Sequence, residues 1–112
     1  MDARFLRNEM LWGKEGQARL ARAHVILFGL GGVGSYVAEC LARSGIGELT
    51  LVDGDTVALS NLNRQLEALS STIGLPKAEA VARRIAEINP EAVLHPMQAL
   101  YNADNRALFF PE

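Results

Sequence analysis

The sequence contains little that would suit a secreted, membrane-embedded or polyanion-binding protein. Its 112 residues include one cysteine, Cys40, which excludes an internal disulfide and a cysteine-based zinc site within the chain. No apolar run approaches the roughly 20 residues of a membrane-spanning helix, and the charged first ten residues do not resemble a secretory signal. Basic residues number 11 and acidic residues 13, so the net charge of −2 indicates no general affinity for nucleic acid. These features predict a cytoplasmic protein with no membrane partner.

What the chain does contain is an alternation of apolar strands and amphipathic helices. Hydrophobic residues make up 49% of the sequence, enough for a buried core. Continuous apolar runs predict strands, and helical spacing predicts helices. The predicted strands are 25–28, 49–52 and 92–96, and the predicted helices are 8–23, 33–44 and 76–88, the first of them in one piece or broken at Gly13 and Gly16.

This alternation is typical of a parallel sheet, and it predicts an α/β, Rossmann-like three-layer fold with an N-terminal helical segment. The three strands are expected in the order 3-2-1, with the first strand at the edge. A doubly wound fold usually needs about 150 residues or more. Residues 1–112 are therefore expected to be the N-terminal part of a single domain.

A glycine-rich turn joins the first predicted strand to the following helix. It reads Gly29-x-Gly31-Gly32-x-Gly34, which matches the G-x-G-x-x-G pattern of nucleotide-binding βαβ units. Glycines let backbone amides approach a phosphate at a helix N-terminus. A tight strand-to-helix turn would explain one or two of these glycines, whereas four indicate a bound nucleotide.

Two aspartates follow the second predicted strand. Asp53 lies close to the spacing of roughly 20 residues after the first glycine at which an acidic residue binds a ribose. It is therefore predicted to accept hydrogen bonds from a nucleotide ribose, although "DGD" also reads as a turn. Asp55 is a weaker candidate for the same site, with helix capping as its alternative role.

The polar stretch "SNLNRQ" at 60–65, with Lys77 beyond it, suits a nucleoside triphosphate. Arg64 offers a guanidinium fork, Lys77 a compact charge and Asn61 a neutral donor, which together can neutralise and orient phosphates. A solvated surface charge is the alternative role for Arg64 and Lys77.

Five other residues carry side chains that are capable of chemistry. Arg4 and Arg7 form a small basic group that either lies on an exposed face or contacts phosphate across a dimer. His24 and His95 have no partner at catalytic or metal-ligand spacing. Cys40 is expected to be buried against the sheet as a small hydrophobic residue.

The residues left two other functions open. An NAD-dependent dehydrogenase domain shares the glycine loop and Asp53, but it gives no role to Arg64 or Lys77. A non-catalytic dimerisation module would bind no nucleotide at all.

The order of motifs narrows these alternatives. "GLGGVGS", "LARSGIGELTLVDGDTVALSNLNRQ" and "STIGLPKAEAVARRIAEINP" resemble the adenylating domain of the ubiquitin-activating-enzyme-like superfamily, which includes bacterial adenylyltransferases of molybdopterin and thiamin biosynthesis. "ARSGIG" and Asn63 within "SNLNRQ" resemble most the branch that dehydrates threonylcarbamoyladenosine in tRNA. The resemblance covers nearly the whole chain.

The resemblance implies an ATP- and Mg²⁺-dependent homodimer that adenylates a carboxylate. In the tRNA branch an internal amide then displaces AMP and closes a ring, whereas in other branches the acceptor is the C-terminus of a small ubiquitin-like sulfur-carrier protein. The glycine loop and Asp53 would bind the nucleotide, Asn61, Arg64 and Lys77 its phosphates, and Arg7 would reach ATP from the neighbouring subunit.

The resemblance also implies features with no counterpart in residues 1–112. These are a magnesium-binding aspartate, the catalytic cysteine of some branches and a paired-cysteine zinc motif. No residue of this sequence is assigned as a metal ligand, and this stretch alone is not expected to be a competent enzyme.

Overall fold

The computed structural model describes residues 3–110, in which three parallel strands form one sheet. The strands are β1 (His24–Phe28), β2 (Glu48–Val52) and β3 (Val93–Met97). β2 lies between the other two and pairs with both in parallel register. The predicted strand order and the edge position of the first strand are confirmed.

Helices precede, connect and follow these strands. They are α1 (Leu6–Arg22), α2 (Gly32–Ser44), α3 (Lys77–Ile88) and the short α4 (Arg106–Phe109), with 3-10 helices at Ala3–Phe5 and Leu59–Asn63. α1 is broken at Gly13, where φ is 76° and ψ is 169°. α2 ends where Gly45 adopts a φ of 92°, which lets the amide of Ile46 reach the carbonyl of Leu41. Pro76 lies just before α3 instead of in its first turn.

The core lies between the sheet and the helices α2 and α3. Leu49 and Leu51 of β2 are fully buried there, because apolar stripes of both helices face the central strand. The other buried members of this cluster are Leu30, Ala38, Ala42, Ile46, Ala78, Val81 and Ile85. Since α2 follows β1 and α3 begins beside the turn after β2, both helices start at the carboxyl end of the sheet.

A bidentate ion pair joins the two helices at their outer surface. Arg84 Nε lies 2.6 Å from Glu39 Oε1, and its Nη2 lies 3.0 Å from Oε2. The hydrogen bonds from Arg84 lower the pKa of Glu39, and the same pairing raises the pKa of Arg84. The pair fixes the relative positions of α2 and α3.

Polar side chains on the opposite face of the sheet, including the two histidines, are paired by hydrogen bonds. His24 Nε2 lies 2.7 Å from Thr50 Oγ1, and His95 Nε2 lies 2.7 Å from Glu48 Oε2. The two imidazole rings are 5.9 Å apart. These contacts could not be read from local spacing, because parallel register brings together residues that are far apart in sequence.

The expectation that Cys40 is buried against the sheet was wrong. Its side chain is exposed, because it lies on the outer face of α2. Ala38 and Ala42 instead face the sheet and are fully buried.

Candidate functional site

The glycine loop and Asp53 meet at the carboxyl end of the sheet. Asp53 Oδ2 accepts a hydrogen bond from the amide of Leu30 at 2.7 Å, and its Oδ1 accepts one from the amide of Asp55 at 2.8 Å. The carboxylate therefore ties the loop after β1 to the turn after β2. Each oxygen keeps a further lone pair, so Asp53 can still accept from ribose hydroxyls.

Two of the four loop glycines are required by the fold itself. Gly29 has a φ of 90°, a conformation that other residues rarely adopt. A Cβ at Gly34 would lie 1.9 Å from the carbonyl oxygen of Gly29, which backbone packing cannot accommodate. These two glycines fit the ordinary demands of a tight strand-to-helix turn.

The other two glycines are not required by the fold. A Cβ at Gly32 would lie 3.7 Å from Arg64 Cδ, and one at Gly31 would lie 3.9 Å from Gln65 Nε2, both ordinary van der Waals distances. Neither residue has a positive φ. The surrounding protein would accept alanine at both positions, so packing among the described residues does not account for these two glycines. An anion suits this place because the first amides of a helix lack internal partners.

Arg64 lies directly over this bare backbone. The Cγ, Cδ and Nε atoms of Arg64 approach the position of a Cβ on Gly32 within 3.8 Å. Its Nη1 donates to Asn63 Oδ1 at 2.8 Å and to the carbonyl of Ser60 at 3.3 Å. An exposed guanidinium is therefore held beside the N-terminus of α2, where it can neutralise a phosphate.

Asn61 has a structural role that the sequence did not predict. Its side chain is 8% exposed, and its Oδ1 accepts from the amide of Ala58 at 2.8 Å. Its backbone carbonyl accepts from the amides of Arg64 and Gln65. Asn61 thus shapes the segment that carries Arg64, and only its amide NH₂ group is suited to contact a phosphate.

Lys77 begins α3 on the same side of the sheet. Its backbone amide donates to the carbonyl of Asp55 at 3.0 Å, so the turn after β2 positions the start of the helix. The side chain of Lys77 is 7% exposed, and within residues 3–110 it forms no ion pair. Asp55 is exposed, and its hydrogen bonds to Asp53 and Lys77 come from its backbone amide and carbonyl.

Two buried polar residues near this site were missed by sequence reasoning. Gln65 Oε1 and both carboxylate oxygens of Glu67 have no hydrogen-bond partner among the described residues, although the two side chains are 6% and 1% exposed. Burial raises the pKa of Glu67, while Lys77 opposes this shift and Asp53 adds to it. Gln65 could have been proposed as a site residue because it directly follows Arg64. Nothing in the sequence indicated Glu67, because it lies in a segment that reads as irregular and polar.

A cavity of about 320 Å³ adjoins Asp53 at the carboxyl ends of β1 and β2. One wall comes from the segment after β3, where Tyr101 packs against Phe28 with ring centroids 4.8 Å apart. Phe109 and Phe110 complete this aromatic cluster. The lining residues are Phe28, Gly29, Val52, Asp53, Gly54, Asp55, Ala99, Leu100 and Tyr101.

Arg7 is not brought to this site within its own chain. It lies on the first turn of α1, next to Asn8, whose side chain donates to the carbonyl of Arg43 near the end of α2. α2 has 13 residues and is roughly 20 Å long, so Arg7 is at the far end of that helix from the glycine loop. Arg4 lies in the same region, beside Phe5 and Arg43.

Two other features are absent from residues 3–110, a metal cluster and a membrane-spanning helix. No cluster of three or more His, Cys, Asp or Glu side chains in this part of the chain is arranged to hold a metal ion. Within the same residues, no helix combines the length and the apolar character needed to cross a membrane.

Residues 5–112 match the model of the ThiF family. The chain belongs to the ThiF family. It is 48% identical over 106 residues to the tRNA threonylcarbamoyladenosine dehydratase of Bacillus subtilis, a match that covers 95% of this chain and 42% of that protein. It is 43% identical over 90 residues to the molybdopterin-synthase adenylyltransferase of Salmonella typhimurium, covering 80% of this chain and 36% of that protein.

A solved structure of a ThiF-family relative has the same fold. The crystal structure of Escherichia coli tRNA N6-threonylcarbamoyladenosine dehydratase in complex with ATP matches with a TM-score of 0.92 and 44% identity. The match covers 96% of this chain and 44% of that one. The chain therefore spans less than half the length of the relatives it matches. The predicted family and the Rossmann-like fold are confirmed.

Proposed function

We propose that the protein containing this chain binds ATP at the carboxyl end of the sheet and uses it to adenylate a carboxylate. The observation that carries the proposal is the pair Gly31 and Gly32, whose bare backbone the fold does not require. The unpartnered buried atoms of Gln65 and Glu67 also mark this region as incomplete without a ligand. The solved relative that was crystallised with ATP supports the same choice of nucleotide.

In this proposal each part of the site has a separate task. Asp53 accepts from the ribose, and the amides at the start of α2 receive the phosphates. The substrate carboxylate attacks the α-phosphorus, the bond between the α-phosphorus and the bridging oxygen breaks, and pyrophosphate leaves with its electrons. Arg64 and Lys77 stabilise the charge that develops on the phosphates, so the protein contributes mainly position and electrostatics. Mg²⁺ is proposed to arrive bound to the triphosphate.

The acceptor is proposed to be threonylcarbamoyladenosine in tRNA, with ring closure as the outcome. Support comes from the tRNA threonylcarbamoyladenosine dehydratase of Bacillus subtilis, which shares 48% of the aligned residues. A tRNA substrate would place the protein in the cytoplasm. The second candidate is the C-terminus of a sulfur-carrier protein, which the similarity to the molybdopterin-synthase adenylyltransferase supports.

We further propose that residues 1–112 form the N-terminal part of one adenylating domain and that two copies assemble through the outer face of α2. Val33, Tyr36 and Val37 are 80%, 51% and 38% exposed there, and they form an apolar stripe at helical spacing. Arg7 lies too far from the glycine loop of its own chain to reach it, so only the Arg7 of a second copy could contact ATP.

Calorimetry on the complete protein tests the choice of nucleotide. ATP with Mg²⁺ is expected to bind and NAD is not; binding of NAD without ATP would indicate a dehydrogenase, and binding of neither would indicate a dimerisation module. ATP–pyrophosphate exchange then tests the acceptor. Exchange that depends on tRNA carrying threonylcarbamoyladenosine supports the first candidate, and exchange that depends on a sulfur-carrier protein supports the second.

Analytical ultracentrifugation tests the assembly. Tyr36→Arg places a charge on the exposed stripe of α2, away from the sheet, and is expected to give a folded monomer with weakened ATP binding. A variant that stays dimeric would contradict the proposed interface.

A further inference from the structure

The side chain of Asn63 makes a contact that no proposed role yet uses. Asn63 is the last residue of the 3-10 helix Leu59–Asn63, and its own side chain is exposed. Its Oδ1 accepts a hydrogen bond of 2.8 Å from Arg64 Nη1. The same Nη1 also donates to the carbonyl of Ser60, at the longer distance of 3.3 Å. The guanidinium is thus held at one of its nitrogens by two acceptors.

The backbone on either side of this contact is fixed by other bonds. The amides of Arg64 and Gln65 both donate to the carbonyl of Asn61, at 3.2 and 3.0 Å. The stem of Arg64 lies against Gly32. With the backbone and the stem positioned in this way, the remaining freedom of Arg64 is rotation of its exposed guanidinium. The bond to Asn63 Oδ1 limits that rotation.

We infer that Asn63 is a positioning residue that holds the Arg64 guanidinium over the start of α2 before ATP arrives. The inference rests on the proposed function, in which Arg64 contacts the phosphates. An arginine that is already oriented loses less side-chain freedom on binding, so it improves affinity. It also faces the developing charge without reorganising, so it improves the rate of the chemical step. The other two guanidinium nitrogens, Nε and Nη2, form no hydrogen bond among the described residues, so they are available to a phosphate.

The test compares Asn63→Ala in two backgrounds of the complete protein. In the wild-type background it is expected to raise the ATP dissociation constant about threefold and to lower the rate of ATP–pyrophosphate exchange about tenfold. In the Arg64→Ala background the same change is expected to have no further effect on either quantity. Equal losses in both backgrounds, or no loss in the wild-type background, would overturn the inference.

Two control variants separate positioning from damage to the 3-10 helix. Asn63→Gln keeps an amide oxygen one methylene further out and is expected to restore most of the affinity and rate. Leu59→Ala alters the same 3-10 helix at a residue that is 70% exposed, and it is expected to behave as wild type. A loss with Leu59→Ala equal to that with Asn63→Ala would contradict the inference.

A measurement without ligand keeps the inference separate from the proposed function. Nitrogen-15 relaxation at Arg64 Nε reports the order of the side chain in the free protein, and Asn63→Ala is expected to lower its order parameter. If the wild-type protein binds no ATP, the proposed function fails. The order parameter still decides whether Asn63 holds Arg64.

Discussion

Buried polar side chains have hydrogen-bond partners at the amino end of the sheet, whereas several polar atoms at the carboxyl end have none among the described residues. At the amino end, Gln17 is 3% exposed; its Oε1 accepts from Trp12 Nε1 and its Nε2 donates to the carbonyl of Ser44, both at 2.8 Å. Asn89 is 5% exposed and donates to the carbonyl of Ile46 at 3.3 Å. These side chains connect helices and loops that are distant in sequence, so their role is to hold the fold together.

At the carboxyl end, buried polar atoms are left without partners. Gln65 Oε1 and both oxygens of Glu67 have none among residues 3–110, where Glu9 Oε2 is the other such atom. Three of the four such atoms among these residues therefore lie at the carboxyl end, which is where the proposed nucleotide site lies. Cavity volume does not follow this difference, since the cavity of about 420 Å³ beside Gln17 is larger than the one of about 320 Å³ beside Asp53.

The largest effect at the carboxyl end of the sheet is expected from removal of the Arg64 side chain. Arg64→Ala is expected to lower ATP–pyrophosphate exchange by about 100-fold, because it removes a preorganised charge from the phosphates. The thermal unfolding midpoint should stay the same, since the side chain is exposed. Arg83→Ala is the matched control, because Arg83 is also exposed and pairs only with Glu79 four residues earlier. Exchange at the wild-type rate in Arg64→Ala would remove the residue from the proposed site.

The amino end should respond in the opposite way. Gln17→Ala is expected to lower the free energy of unfolding by about 1 kcal/mol, because it leaves the part-buried Ser44 carbonyl and the Trp12 indole without their partner. The ATP dissociation constant should not change, which calorimetry can check at a temperature where the variant is folded. Arg19→Ala, on the exposed side of the same helix, serves as the control. A large change in ATP affinity would show that the two ends are coupled.

The glycine loop gives a finer test. Gly32→Ala is expected to weaken ATP binding about tenfold, because the added methyl group would crowd the phosphates at the start of α2. The free energy of unfolding, measured by urea titration, should change by less than about 0.5 kcal/mol, because the protein leaves room for the Cβ. Gly34→Ala is the contrasting variant and should destabilise the fold, given the 1.9 Å approach to the Gly29 carbonyl. Wild-type ATP affinity in Gly32→Ala would mean that no phosphate lies there.

The smallest expected effect concerns Glu67. Its pKa is raised in the folded protein by burial, so its ionisation opposes folding as the pH rises through that raised value. Below the unfolded pKa of about 4.5 the group is protonated in both states and has no such effect. The free energy of unfolding of Glu67→Gln should therefore exceed that of the wild type by up to about 1 kcal/mol near pH 8, and by less near pH 5. Urea unfolding at the two pH values measures this, and an advantage that grows toward acid would contradict it.

Much of the fold followed from local sequence patterns. The run that predicted β1 is continuously apolar, and the run that predicted β2 is interrupted only by Thr50, as suits strands of a parallel sheet. The end of α2 at Gly45 was also predicted, since a left-handed residue there favours glycine. The first residue of α3 was misplaced by one position, because Pro76 fits equally well just before a helix and in its first turn.

The site was predicted less completely than the fold. Asp53 and the glycine loop could be proposed from the sequence because each has a fixed place relative to a strand end, and the structure brings them into contact. Gln65 and Glu67 were missed because their burial depends on α2, α3 and the loop between them. The contact of His95 with Glu48 was missed because it depends on strand register.

By itself, the sequence determined the order of strands and helices, the glycine-rich turn and the family resemblance, because these depend on residues that are neighbours along the chain. The tertiary structure alone decided that Gly29 and Gly34 serve the fold while Gly31 and Gly32 do not. It also decided that Arg7 lies far from its own glycine loop. The physical reason is that room for a Cβ, a missing hydrogen-bond partner and the reach of a side chain are all set by what packs nearby, and in this chain those neighbours come from segments far apart in sequence.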